Sequence, residues 1–299
     1  MGVLKKAVRL TGPALLIFVF VRFVDISLLL KTFRNASLRY LFLSYLLTTA
    51  LFMGKIFRIY LPLSKSSVNI KFSYFTRIFT SSRLLGWISN TFVSDVVNAG
   101  ILMTKQEKKM RISNVFILNR AADILATLIL FGIVLYLNAG LMSPYLSLSY
   151  PKSVVIFSVV FAALLLIFFF RTRVMVYVKD FLQAGKTFLA VTVNLTVFVV
   201  ACTILSVILN AKALHVDVSP SFLLLCYTVG IAISVLPISI SGIGTREITF
   251  VFLMKLVNVS SEKAIAFSFL EFLFMPLFCL ATLHLVALIG EYRENSHHR

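Results

Sequence analysis

The sequence predicts an all-α, polytopic integral membrane protein, and three observations predict it. Hydrophobic residues fill 60% of the 299 positions and charged residues only 13%, with a mean hydropathy of +0.98; a soluble domain is about half apolar. Several windows of about 17 to 25 residues are nearly free of charge, long enough as helices to cross about 30 Å of hydrocarbon. The Lys and Arg residues behind the net charge of +18 gather between those windows, as the positive-inside rule describes. That placement reads as topology and attraction to anionic lipid, and argues against nucleic acid as a partner.

The clear spans run from Leu10 to Leu30, Leu38 to Ile59, Asn114 to Leu137, Val154 to Phe170, Phe188 to Leu209 and Ala264 to Gly290. The first follows Lys5, Lys6 and Arg9 with no evident small-residue cleavage site after it, so it reads as a retained helix and not a removed signal peptide. Two regions are broken by polar clusters. Val68 to Met103 carries Ser81, Ser82 and Arg83, then Ser94, Asp95 and Asn98; Pro220 to Asn258 carries a run from Ser239 to Glu247. Irregular backbone survives at membrane depth only where protein or a water-filled cavity satisfies it, which suits re-entrant hairpins. With the N-terminus, Lys55 to Arg111, Arg171 to Lys186 and the C-terminus inside, the outside keeps far fewer basic residues, among them Lys31, Arg34, Arg39, Lys152 and Lys212. The expectation is about six spans plus two hairpins in a single transmembrane domain over 1–299. Both termini face the cytoplasm, in the cell's inner membrane.

The stretch Val68 to Tyr74 resembles Val216 to Phe222, an offset of 216 − 68 = 148 residues. Continued without a gap, that offset lays Ser94 on Gly242, Asn98 on Arg246 and Asp123 on Glu271, so polar breaks and intramembrane acids coincide. Each half, about 1–150 and 151–299, then holds three spans and a hairpin. An odd number of spans gives the halves opposite orientations, the inverted-repeat plan of many transporters.

Ionisable side chains at membrane depth cost at least about 2.5 to 3.5 kcal/mol each on insertion scales, so each needs a partner or a purpose. Arg22 with Asp25, and Arg120 with Asp123, stand three apart on one helix face and can pair along the helix. The densest constellation runs from Leu236 to Glu247. Pro237 ends or kinks the incoming helix, and Gly242 and Gly244 permit tight backbone beside Ser239 and Ser241. A helix starting at Glu247, with Arg246 beside its N-terminus, makes an anion site suited to phosphate, while Glu247 also favours the helix dipole. Asp95 sits at the equivalent break, where it can accept from Arg120, Arg246 or a substrate amine. Glu271 is a candidate on the last helix; His284 reads as a satisfied buried histidine. Cys202, Cys226 and Cys279 lie in apolar stretches without metal-like spacing. No metal or cofactor is expected, and no Walker loop, HExxH, CxxC or Gly-x-Ser-x-Gly elbow occurs. The protein is therefore not expected to be an enzyme.

Leu236 to Glu247 resembles the Leu-Pro-x-Ser-x-Gly-Gly-x-Gly-x-Arg-Glu signature of the lysylphosphatidylglycerol synthase transmembrane family, flippase-like proteins that include the membrane half of the multiple peptide resistance factor. Ser94 to Asn98 is similar to the family's Gly-Gly-Asp-x-x-Arg element, and Asn119-Arg120 to its Asp-Arg pair. Asn98 stands where the family has Arg, Ser94 and Ser241 replace glycines, and Asn119 replaces an acid. The resemblance implies movement of a lipid or lipid-linked headgroup, a phospholipid or glycolipid, across the bilayer. In that reading Arg246 and Arg120 engage a phosphate, and Asp95, Asp123 and Glu271 balance or relay charge. A non-transporting subunit that supports an envelope glycosyltransferase partner, or an intramembrane lipid-modifying enzyme, are the alternatives.

Overall fold

The computed structural model describes residues 26–65, 70–89, 91–104, 109–139, 186–235 and 244–296. Most of the Leu10 to Leu30 span, the Arg22/Asp25 pair, the Val154 to Phe170 span, and Pro237, Ser239 and Gly242 lie outside these residues. Every regular element among the described residues is helical: α1 (Ile26–Arg34), α2 (Leu38–Lys65), α3 (Phe72–Ser89), α4 (Thr91–Thr104), α5 (Lys109–Leu137), α6 (Lys186–Ala213), α7 (Pro220–Val235), α8 (Thr245–Lys255), α9 (Ser261–Phe269), a π-helical turn (Leu270–Phe274) and α10 (Met275–Ser296).

Four stretches are long and apolar enough to cross a membrane: Leu38–Ser64, Ile112–Leu137, Ala190–Ala213 and Ser261–Glu294. They match four of the six expected spans. Each broken region forms two short helices packed on each other, α3 with α4 and α7 with α8. Local chemistry sets several boundaries. Pro220 opens α7, where its missing N–H costs nothing, and the Ser219 hydroxyl accepts the Phe222 N–H at 3.4 Å. Ser260 caps α9 by accepting from the Lys263 N–H. The α6 end turns through His215 at φ 52° and the α8 end through Asn258 at φ 59°. Val216 and Val259 then donate back to the carbonyls of Ala211 and Met254.

The 148-residue offset reappears in these boundaries. It separates Leu38 from Lys186, Lys65 from Ala213, and Phe72 from Pro220. The two helices so related, α2 and α6, make the most extensive helix–helix contact among the described residues. They run antiparallel. A Cβ on Gly54 would lie 3.0 Å from Val199 and 3.2 Å from Phe198, and one turn on Arg58 reaches Thr196. Further out, α3 lies along α10 and α7 along α5. The first of these contacts is closed at one end by Arg77 on Glu291 at 2.6 Å and Lys71 on Glu294 at 3.6 Å.

Two apolar cores result. One joins Ile56, Ile59, Phe75 and Phe79 to Cys279 and Leu280; the other joins Phe222, Leu223, Phe250, Met254 and Phe267. Large apolar side chains also point outward, among them Phe42, Ile129, Val197, Phe252, Phe278 and Ile289, the surface a hydrocarbon solvent favours.

Gly230 tests the α7–α8 contact, because a Cβ there would lie 2.6 Å from the Phe250 ring, whereas a Cβ on Gly100 meets nothing within 4 Å. Gly230→Ala is expected to cost about 1–3 kcal/mol through overpacking, and Gly100→Ala to be neutral or stabilising by about 0.5–1 kcal/mol. Thermal unfolding of both variants in detergent measures the difference.

Candidate functional site

Between α2, α5, α6 and α7 lies a cavity of about 730 Å³. Its lining repeats at the 148-residue offset: Thr48 with Thr196, Leu51 with Val199, Phe52 with Val200, Lys55 with Thr203, Arg58 with Ser206, and Asp123 with Glu271. The cavity therefore sits where the antiparallel α2 and α6 cross. Arg83, Arg120, Tyr227 and Arg246 also reach it.

Arg58 is the hub of its first-half wall. The residue is 2% exposed, and its guanidinium donates through Nε to Asn119 at 2.6 Å, through Nη1 to Thr196 at 3.1 Å, and through Nη2 to Asp123. Three helices are joined by one side chain. A fixed planar fork suits this task better than an ammonium would, and the carboxylate offsets the cost of an arginine inside the membrane.

The α3–α4 pair is tied in by a second carboxylate. Asp95 accepts from Arg83 Nη2 at 2.6 Å and lies 3.8 Å from Arg120 Nη1. On the same face of α4, Ser94 Oγ, Asp95 Oδ2 and Asn98 Oδ1 are buried without a hydrogen bond among the described residues, which makes this face a place for ordered water. Sequence spacing suggests Arg120 and Asp123 as an intrahelical pair; the partners found here are on other helices, Arg58 for Asp123 and Asp95 for Arg120.

Around α8 different side chains serve as anchors. Gly244 has φ 88°, a conformation that favours glycine, and its N–H donates to Glu247 Oε2 at 2.6 Å. Glu247 Oε1 also accepts from Arg246, at 3.2 and 3.1 Å, and from Ser268 at 3.0 Å. The expected capping role of Glu247 is thus present. Arg246 is 6% exposed, and its guanidinium stands 4.3 Å from the centroid of Phe272, whose ring stacks on Tyr227. Its edge reaches the cavity, but most of its donors hold the start of α8.

Glu271 lies in the π-helical turn and accepts from Asn210 Nδ2 at 2.6 Å. Both offset-related acids are therefore held by the two offset-related long helices, Asp123 by Arg58 on α2 and Glu271 by Asn210 on α6. Single π turns recur at functional positions. His284 is satisfied by Thr80 at 2.9 Å.

Of the residues expected from sequence, Arg120, Asp123, Arg246 and Glu271 line one cavity; Asp95, Gly244 and Glu247 stand behind the arginines. Sequence reasoning missed Lys55 and Arg58, which it counted among the cytoplasmic loop charges. They lie instead inside the apolar stretch Leu38–Ser64. The available signal was the offset itself, which lays them on Thr203 and Ser206 in an uninterrupted span. No group of three or more His, Cys, Asp or Glu side chains able to hold a metal occurs among the described residues.

Fold and cavity together define a multi-pass α-helical membrane protein with a charged internal cavity. The model of the lysylphosphatidylglycerol synthase TM region matches residues 6–282, and the chain belongs to that family. Comparison with curated proteins finds no match.

Asp123 provides a test of the charge network, because Arg58 is 1% and Asp123 23% exposed at the side chain. Asp123→Ala strands a buried guanidinium and is expected to cost about 3–5 kcal/mol, with the double change Arg58→Met/Asp123→Leu recovering most of it. Denaturant unfolding of the purified protein in detergent reads both values.

Proposed function

We propose that this protein moves a lipid or lipid-linked headgroup across the bilayer, acting as a transporter and not as an enzyme. The observation that carries the reading is the cavity at the crossing of α2 and α6, a largely apolar lining into which several charged side chains reach, enclosed by helices whose outer faces are apolar. A headgroup occupies the cavity while its acyl chains stay among those apolar faces. Arg120, with the edge of Arg246, engages the headgroup phosphate; Asp95, Asp123 and Glu271 keep the local charge in balance as the phosphate arrives and leaves.

The two halves form an inverted repeat in this proposal, with the α3–α4 and α7–α8 pairs as re-entrant hairpins that reach the cavity from opposite faces. Support comes from the shared boundaries at an offset of 148 and from the antiparallel course of α2 and α6. Exchange of the two half-arrangements gives alternating access around a fixed site. The setting is the inner membrane, with both termini cytoplasmic.

Two experiments test this reading. In proteoliposomes carrying fluorescent phospholipids and glycolipids, the protein is expected to expose inner-leaflet label to a membrane-impermeant quencher, and Arg120→Ala to slow that exposure about tenfold or more, the loss of one charge-assisted contact. Movement of no lipid across the panel removes the transport reading. For the repeat, single cysteines at Ser64 and Lys212, in a background free of Cys202, Cys226 and Cys279, should label from opposite faces of the membrane. Labelling from the same face sinks the inversion.

A further inference from the structure

The cavity is symmetric in position but not in charge. At the 148-residue offset Lys55 corresponds to Thr203 and Arg58 to Ser206, so four of the five lining cations, Lys55, Arg58, Arg83 and Arg120, belong to the first half, and hydroxyls take the place of two of them in the second. The hydroxyl hydrogens are already committed. Thr203 donates to the Val199 carbonyl at 2.9 Å, Ser206 to the Thr203 carbonyl at 3.1 Å and Thr228 to the Leu224 carbonyl at 2.9 Å. These three hydroxyl oxygens can therefore accept a hydrogen bond but have no hydrogen free to give to a phosphate.

Most of the positive charge around the cavity is also engaged. Arg58 is held by Asp123, Arg83 and Arg120 by Asp95, and Arg246 by Glu247. Lys55 differs. It lines the cavity and makes no ion pair among the described residues, its one described contact of this kind being the Phe52 ring, 5.9 Å from Nζ to the centroid. That distance is at the outer limit for a cation–π contact. The carboxylates whose charge reaches it, Asp123 and Asp95, are already paired with Arg58 and Arg83, an ammonium at this depth is costly, and the cavity beside it has room for an anion.

We infer that Lys55 is the phosphate anchor of the cavity and makes it select lipids whose headgroup carries net negative charge. The inference rests on the headgroup-binding reading above and names its substrate class. Lys55 supplies the counter-charge and up to three donors to the phosphate oxygens. The acceptor oxygens of Thr203, Ser206 and Thr228 take hydroxyl donors from the rest of the headgroup, which fixes the orientation of the headgroup across the crossing of α2 and α6. A zwitterionic headgroup brings a cation of its own into this positive wall and binds less well.

The test uses the full chain in detergent, with short-chain phosphatidylglycerol and short-chain phosphatidylcholine as probes in calorimetric titrations. The wild type is expected to prefer the anionic lipid. Lys55→Gln should weaken phosphatidylglycerol binding about tenfold or more, leave phosphatidylcholine binding unchanged, and be largely rescued in Lys55→Arg, as expected when one charge-assisted contact is lost and restored. Equal binding of the two lipids by the wild type, or unchanged phosphatidylglycerol binding in Lys55→Gln, overturns the inference. Where Lys55→Gln does not fold, Thr203→Lys decides: a second ammonium across the axis should tighten anionic binding, and no tightening counts against charge selection. Lipid movement in proteoliposomes that ignores Lys55 removes this inference alone. Lys55-dependent binding without any movement removes the transport reading and leaves the anchor standing.

Discussion

A guanidinium buried inside a membrane helix is the constraint on which the rest of this structure depends. Arg58 is buried, so its donors must be met from within, and they are met by three residues on two other helices. Asn119 and Asp123 fix α5 against α2, and Thr196 fixes α6. Once these helices are held around a charge, the space between them cannot close into an apolar core, because a cation with its carboxylate keeps polar surface exposed to the interior. The cavity is the consequence of a charge network that must be solvated by something. The apolar side chains displaced from the centre then face outward, where lipid receives them.

Both broken regions obey the same rule by different means. In α3 and α4 the anchor is an ion pair, with Asp95 drawing Arg83 and lying near Arg120. In α7 and α8 it is Glu247, which accepts from a glycine N–H, an arginine and a serine at once. Each carboxylate ties a short helix to a later one, Asp95 through Arg120 on α5 and Glu247 through Ser268 on α9. Short helices cannot span the bilayer and bury little surface of their own, so charged hydrogen bonds in a low-dielectric interior carry a larger share of their attachment. The close approach of Gly230 to Phe250 supplies the van der Waals part for the second pair.

Much of this was legible in sequence because it follows from solvent. Apolar windows, basic flanks and polar interruptions report directly on transfer between water and hydrocarbon, so four spans and both broken regions fall where hydropathy puts them. The offset of 148 was visible in seven residues and extends through the helix boundaries. Lys55 and Arg58 were not legible as site residues. Two cations near the end of an apolar run look like the start of a cytoplasmic loop, and hydropathy cannot tell a charge that ends a helix from one that a neighbouring helix neutralises. The contact of Arg120 with Asp95 was among those expected, but the partner of Asp123 was misread for a related reason: spacing along one helix reveals what can pair locally, not what another helix offers.

By itself, then, the sequence determined that the chain is a helical membrane protein, where its apolar helices lie and which family it belongs to, because periodicity, hydropathy and motif are local properties of the chain. Only the tertiary structure decided that α2 and α6 cross antiparallel, that the charges of α2 and α5 share one cavity, and that Arg246 is largely occupied by Glu247. Those outcomes depend on which helix faces which. In a hydrocarbon solvent that choice is made by the few polar side chains that must find one another, and their pairing is fixed by distance in space and not by distance along the chain.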